Sequence, residues 1–337
     1  MAGLSRRNFV CRLPFVAAAV PAAVNLPVGA SKPAGHGGGD GAAANTAAHG
    51  SQAHAGIVGG KVKNDFDPTE ILRDYDTGRV INGVREWEIV AEDKEIEVAP
   101  GVKYAAWTYN GRVPGPTLRA TEGEKLRVRF TNASSHPHTM HFHGIHTDVN
   151  DGIPNIGPGN IEPGESYDYE FGAEPFGLHL YHCHTRPLAD HIAKGLYGAF
   201  IIDPKKGRPK ADELLMVMNG FDTNFDRTNE IYAVNTVAFA YEREPIRVKR
   251  GEQVRIYLVN ALEFDLLNSF HIHANFFDYY PTGTSLEPTE LTDTVIQGQG
   301  QRGILELRFP FTGKYMFHAH VSEFAELGWM GFFDVVD

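Results

Sequence analysis

One strand-and-turn pattern occurs twice along the chain, and that repetition limits the possible folds more than any other feature. Leu118-Arg-Ala-Thr-Glu-Gly-Glu-Lys-Leu-Arg-Val-Arg-Phe-Thr-Asn132 aligns with Ile246-Arg-Val-Lys-Arg-Gly-Glu-Gln-Val-Arg-Ile-Tyr-Leu-Val-Asn260. In both copies Gly-Glu opens an alternating run and Asn closes it. Further on, Ser166–Phe171 aligns with Ile304–Phe309, and Tyr181-His-Cys-His184 with Phe317-His-Ala-His320. Apolar residues at every second position mark strands with one buried face. Short runs of this kind between Pro and Gly turns predict a β-sandwich in each half. A length of 337 residues suits two such domains, and 42% hydrophobic residues suffice for two cores. The seam falls in the polar, turn-rich stretch Asp203–Pro209, which sets the domains at 61–204 and 205–337.

The first 30 residues read as a twin-arginine export signal. Ser5-Arg6-Arg7-Asn8-Phe9 precedes an apolar stretch from Phe15 to Val24, and Val28-Gly29-Ala30 offers a cleavage site. The expected location is periplasmic or extracellular. Residues 31–60, rich in Gly, Ala and Ser with His36, His49 and His54, read as a disordered linker. No apolar run is long enough to span a bilayer. The formal net charge of −11, without a basic face, argues against nucleic acid or anionic membrane as partners. Of the two cysteines, Cys11 leaves with the signal, so Cys183 can form no disulfide within the mature chain. A lone thiol in an oxidising compartment needs protection, and a metal supplies it.

Four short motifs carry the chemistry: His141-Phe-His143, His182-Cys-His184, His271-Ile-His273 and His318-Ala-His320. Residues i and i+2 of a strand point to the same face, so each motif presents two imidazoles together. One pair alone is as well explained by packing. Four pairs, two at equivalent places in each half, are not, and eight imidazoles can hold three copper ions. Cys183, between His182 and His184, faces the other side of its strand and binds a different ion. With His138 and His191 it supplies the trigonal two-histidine, one-cysteine set of a blue-copper site.

These motifs, together with Asn110-Gly-Arg-Val-Pro-Gly-Pro-Thr-Leu-Arg119, make residues 80–337 resemble the two-domain, laccase-like multicopper oxidases. The resemblance implies an all-β chain of two cupredoxin-like Greek-key β-sandwich domains, with about four copper ions. By position, it assigns type-1 copper to His138, Cys183 and His191, and type-2 copper to His141 and His271. The type-3 pair falls to His143, His182, His184, His273, His318 and His320. It implies a homotrimer in which the first domain of one subunit and the second domain of the next share each trinuclear cluster. Ala319 and Asn268 replace the ligands that a second type-1 site would need, so the expected blue copper lies in the first domain alone. Leu196 stands where many members carry the axial methionine, which implies a raised reduction potential.

The implied activity is one-electron oxidation of a donor coupled to four-electron reduction of dioxygen to water. Asp151, before Gly152, resembles the family's acidic residue beside the cluster and is a candidate proton relay, with Glu323 and Glu326 as alternatives. His136 competes with His138 for the type-1 role; His179 reads as structural, and His146 as structural or, alternatively, placed near the cluster. The donor is open between phenols, ferrous, cuprous or manganous ions, and a small redox protein. The six methionines do not cluster, which disfavours a dedicated cuprous site. A copper nitrite reductase needs a single type-2 copper on three histidines, and an electron carrier needs the type-1 set alone. Both leave most of the paired histidines without a purpose.

Overall fold

A computed structural model describes residues 60–337. The expected export signal, Cys11 and the three linker histidines lie outside that range. Each half is a sandwich of two mixed sheets in a Greek-key-like arrangement. In the first half, one sheet runs Arg79–Ile81, Val84–Ala99, Lys125–Asn132, Ser166–Gly172, with Val102–Tyr109 also paired to the long Val84–Ala99 strand. The facing sheet runs Tyr75–Asp76, Thr117–Thr121, Tyr197–Asp203, Gly177–His182, His141–Phe142.

The repeated sequences occupy equivalent positions. Lys125–Asn132 is parallel to Val84–Ala99 and antiparallel to Ser166–Gly172. Its counterpart Gln253–Asn260 is parallel to Asp212–Phe221 and antiparallel to Arg302–Arg308. The closing asparagines do the same work twice. Asn132 Nδ2 donates to the carbonyls of His136 and Ile161, and Asn260 Nδ2 to those of Gln297 and Gly298. Each also accepts a backbone N–H two residues on. Buried backbone groups left by the strand end are thereby satisfied, and the first copy fixes the loop that leads to His138.

Three apolar clusters hold the chain together. Trp87, Phe130, Phe142 and Phe200 fill the first sandwich, and Phe270, Phe317, Trp329 and Phe333 the second. The third lies between the halves, where Leu178, Leu180 and Ile201 meet Leu215, Val217, Tyr257 and Val259. This third cluster explains a departure from the alternation expected in Gln253–Asn260. Lys125–Asn132 is buried at every second residue, but all residues from Val254 to Asn260 are buried. Val254, Ile256 and Leu258 enter the second sandwich, while Tyr257 and Val259 enter the cluster between halves.

Arg255 shares that outer face and is only 2% exposed. Its guanidinium is matched by Glu213 at 2.8 Å and Glu306 at 2.6 Å. Glu213 also binds Arg119, which pairs with Asp203. A chain of alternating charges therefore crosses from one half to the other.

Candidate copper centres

The first group joins three segments. His138 stands at an isolated bridge to Ile161, Cys183 follows the Gly177–His182 strand, and His191 lies on the short helix Leu188–Ala193. All three side chains are buried. Cys183 Sγ lies 3.2 Å from His191 Nδ1 and 3.8 Å from His138 Nδ1, and the two nitrogens are 3.1 Å apart. The Thr139 N–H donates to the sulfur at 3.4 Å.

Burial pushes the Cys183 thiol pKa up. Burial, joined by the neighbouring His191, takes His138 down to about 3; burial and His136 take His191 to about 4. Both rings are therefore neutral at pH 7, the form that ligates. The second ring nitrogen of His138, Nε2, is buried without a partner. Two neutral imidazole nitrogens and a sulfur converging in a dry pocket fit copper, whose charge makes a buried thiolate stable. Trp107 covers the group, its ring centroid 5.0 Å from His138, 4.7 Å from His191 and 4.8 Å from His136. Leu196 is fully buried in the same cluster as Cys183, and its carbonyl accepts the Cys183 N–H.

On the opposite face of that strand, His141 stands directly across from His182 in the strand register. The His141 ring lies 5.1 to 5.3 Å from those of His143, His182 and His184. His143 Nε2 and His182 Nε2 approach to 2.8 Å. Backbone carbonyls orient the rings: His141 Nδ1 donates to Asp151 O at 2.7 Å, and His182 Nδ1 to Cys183 O at 2.8 Å. Each is left with Nε2 facing its neighbours, as a metal-ligating histidine requires. Burial, then neighbouring histidines, lowers His143 to about 3; burial alone leads the shift that takes His182 to about 3.

The second domain repeats the geometry. His271 faces His318 in register, and His273 Nε2 lies 3.0 Å from His318 Nε2. The His271 ring is 5.1 Å from His273 and 5.3 Å from both His318 and His320. His271 Nδ1 donates to Asp293 O and His318 Nδ1 to Ala319 O. Ala319, at the position of Cys183, is buried, and Asn268 is buried in place of His138.

Each domain thus carries four of the eight imidazoles. Among the described residues, no ring contact and no shared ligand group joins a histidine of one set to one of the other. The first set instead faces the loops at Asn260–Glu263 and Gln299–Gly300 across a cavity of about 250 Å³.

Of the acidic residues, Asp151 lies beside the first set: its Oδ1 is 3.0 Å from His141 Nδ1 and 3.3 Å from His146 Nε2. Glu323 is exposed on the short helix Ser322–Glu326, and Glu326 is exposed at its end. Neither carboxylate touches a histidine. His179 bridges the carbonyls of His143 and Pro175, a structural position. His136 packs on Trp107 and does not reach Cys183.

Sequence reasoning missed two kinds of residue. Thr139 Oγ1 accepts the His184 N–H, and Ser269 Oγ accepts the His320 N–H, at 2.9 and 2.8 Å. Their signal was available, because aligning His138-Thr139-Met-His141 with Asn268-Ser269-Phe-His271 places hydroxyls opposite each other. Glu263, whose carboxyl burial raises to about 7, lines the cavity of the first set from a second-domain loop. Nothing in the linear sequence marks it.

Two family models described as multicopper oxidase match residues 90–207 and 208–337. The chain belongs to the multicopper oxidase family. A solved multicopper oxidase is 61% identical to it, with a TM-score of 0.80 over 81% of this chain and 98% of that one. A copper nitrite reductase from Nitrosomonas europaea is 30% identical, with a TM-score of 0.67 over 75% of this chain and 94% of that one. A copper-containing nitrite reductase of Neisseria meningitidis is 30% identical over 249 residues, which is 68% of this chain and 63% of the relative. The chain thus spans less than two thirds of that curated relative's length.

Proposed function

We propose that the protein couples one-electron oxidation of a small-molecule or metal-ion donor to four-electron reduction of dioxygen to two waters. The observation that carries this reading is Cys183 between His182 and His184. Its sulfur joins one buried ligand group, while its neighbours' imidazoles join another on the opposite face. Copper supplies one-electron acceptance at the first group and multi-electron chemistry toward dioxygen at the second.

The chain's own contribution is fixed geometry. His138, Cys183 and His191 hold the type-1 ion in a pocket closed to water. His141 and His271 hold type-2 copper, and His143, His182, His184, His273, His318 and His320 hold the type-3 pair. One peptide bond on each side of Cys183 links the two kinds of site covalently. The Asp151 carboxylate, 3.0 Å from the His141 ring, is the group nearest to hand for proton delivery. Dioxygen reduction needs four protons per turnover, and Glu323 lacks that proximity.

Each set of four imidazoles would supply half a cluster, and among the described residues no ligand group joins the two sets of one chain. Assembly as a homotrimer, with the first domain of one subunit against the second domain of the next, completes them. Export by the twin-arginine route to the periplasm or beyond suits a chain loaded with copper before export.

Stoichiometry tests the reading. Four ferrocyanide ions oxidised per dioxygen, without hydrogen peroxide, is the expected result; a ratio of two with accumulating peroxide rejects it. Nitrite reduction is the second reading, favoured by the Nitrosomonas and Neisseria similarities. The eight paired histidines weigh against it, since a single type-2 copper uses three.

A further inference from the structure

At the seam between the two halves lies a cavity of about 400 Å³. Five cationic side chains line it, Arg119, Lys205, Arg208, Lys210 and Arg255, against two acids, Asp203 and Glu213. The chain as a whole carries a formal charge of −11. As sequence, residues 205–210 read only as part of a polar seam; folded beside Arg119 and Arg255 they make a small basic face. We propose that this cavity binds a small multivalent oxyanion of the inorganic phosphate class, and that the bound anion ties the two halves together across their seam.

Three observations carry it. First, the acids of the cavity are already taken. Asp203 accepts Arg119 Nε and Nη2 with its two carboxylate oxygens, at 2.7 and 2.9 Å. Glu213 accepts Arg119 with one oxygen at 2.6 Å, and Arg255 and Tyr257 with the other at 2.8 and 2.9 Å. Two acids outside the lining approach it: Glu306 binds Arg255 at 2.6 Å, and Glu122 accepts the Lys205 backbone N–H at 3.5 Å. Glu306 also acts on Arg208 through space, and Arg255 opposes it. The carboxylates at the seam thus pair with Arg119 and Arg255, and among the described residues none forms an ion pair with Lys205, Arg208 or Lys210. Three unpaired cations around one cavity favour an anion with more than one charge.

Second, the cations are held in place. Arg255 is only 2% exposed, fixed by the pairs just described. Arg208 Nη2 donates to the carbonyls of Gly283 and Ser285, while its guanidinium lies 5.9 Å from the Phe176 centroid and 5.6 Å from that of Tyr280. Lys205 lies against the turn at Gly123, where an added Cβ would meet its Cε at 2.9 Å. Donors already anchored lose little freedom when an anion arrives.

Third, the lining comes from three parts of the chain. Arg119 belongs to the first-half strand Thr117–Thr121, Lys205, Arg208 and Lys210 to the connection, and Glu213 and Arg255 to second-half strands. An anion held there adds contacts across the seam that the unfolded chain cannot make, so it stabilises the folded state. The acidic remainder of the surface repels an extended polyanion, whereas a single oxyanion needs only the cavity.

Equilibrium dialysis of the copper-loaded full chain against radiolabelled inorganic phosphate, at constant ionic strength in sodium chloride, tests the site. The expected result is saturable uptake of about one phosphate per chain, with a Kd on the order of 1 mM, and a melting temperature that rises with phosphate. Lys205→Gln combined with Lys210→Gln should weaken uptake about tenfold and abolish the rise. Both lysines are exposed and unpaired, so copper content and melting temperature without phosphate should match the wild type. Lys206→Gln, in the same run but outside the cavity, should weaken uptake less than about twofold. Absence of saturable uptake overturns the proposal. So does equal uptake by the double variant, which would place the phosphate at copper, or an equal loss in Lys206→Gln, which would reduce the effect to diffuse charge. Displacement by glycerol phosphate at lower concentration than by phosphate supports the site with an ester as its occupant.

Discussion

Cys183 Sγ lies 3.2 Å from His191 Nδ1, while the residues on either side of Cys183 send their imidazoles to the opposite face of the strand. A single tripeptide thus belongs to two ligand groups. Cys183→Ser removes the sulfur from one group and leaves the other's nitrogens in place. The expected outcome is loss of the intense blue absorption and of about one copper per chain, with the remaining copper retained. Copper analysis beside the visible spectrum checks it.

The hydroxyls of Thr139 and Ser269 anchor the last histidine of each repeat. Thr139→Val leaves the His184 N–H without its acceptor. The donor is only half-buried, so stranding it costs about 1 kcal/mol, the low end of the range for buried donors. Ser269→Ala should do the same to His320 in the second domain. Urea unfolding of each variant measures the loss, and copper analysis should show occupancy falling in the affected set.

Arg255→Met strips the buried cation from Glu213 and Glu306. Breaking a buried ion pair from one side costs about 3–5 kcal/mol, because the partner charges stay behind. The exposed pair Arg79–Glu88 offers the contrast, with both side chains more than 70% exposed. Arg79→Met should change stability by less than about 1 kcal/mol. Chemical denaturation of the two variants side by side tests the difference.

Glu263 sets a pH dependence of stability. Burial raises its folded pKa to about 7 from an ordinary 4.5. Between those values the folded chain keeps a proton that the unfolded chain has lost, so stability falls as pH rises from about 4.5 to 7. Glu263→Gln removes that contribution. The variant should gain on the wild type as pH rises from 5 to 8, read as the difference in melting temperature at each pH. A constant difference rejects the assignment.

Subunit mixing tests the shared clusters. A chain with His143→Ala and His182→Ala lacks the first half-site; one with His273→Ala and His318→Ala lacks the second. Each alone should be inactive. Co-assembled, the intact first domain of one meets the intact second domain of the other, and oxygen uptake should return to a fraction of wild type. No recovery in a verified mixed trimer contradicts an inter-subunit site.

Which histidines and cysteine gather into candidate ligand groups was legible in the sequence because strand period translates directly into facing. His141 with His143, and His182 with His184, share a face wherever the strand lies, and Cys183 must take the other. The repeat also carried the topology, since Asn132 and Asn260 end equivalent strands with equivalent hydrogen bonds. Contacts between the halves were not legible. Val254–Asn260 is buried on both faces by a neighbour that its own pattern cannot specify. Glu263 and Phe225 acquire their surroundings from the other domain. Residues whose environment comes from distant chain leave no local spacing to read.

Copper content per chain, measured with the visible and near-ultraviolet spectrum of the purified protein, tests the central claim most directly. The account predicts about four copper ions, an intense blue band from the Cys183 site and a near-ultraviolet shoulder from a bridged pair. About two copper ions without that shoulder would contradict the trinuclear assignment and favour nitrite reduction, and a single copper would reduce the protein to an electron carrier.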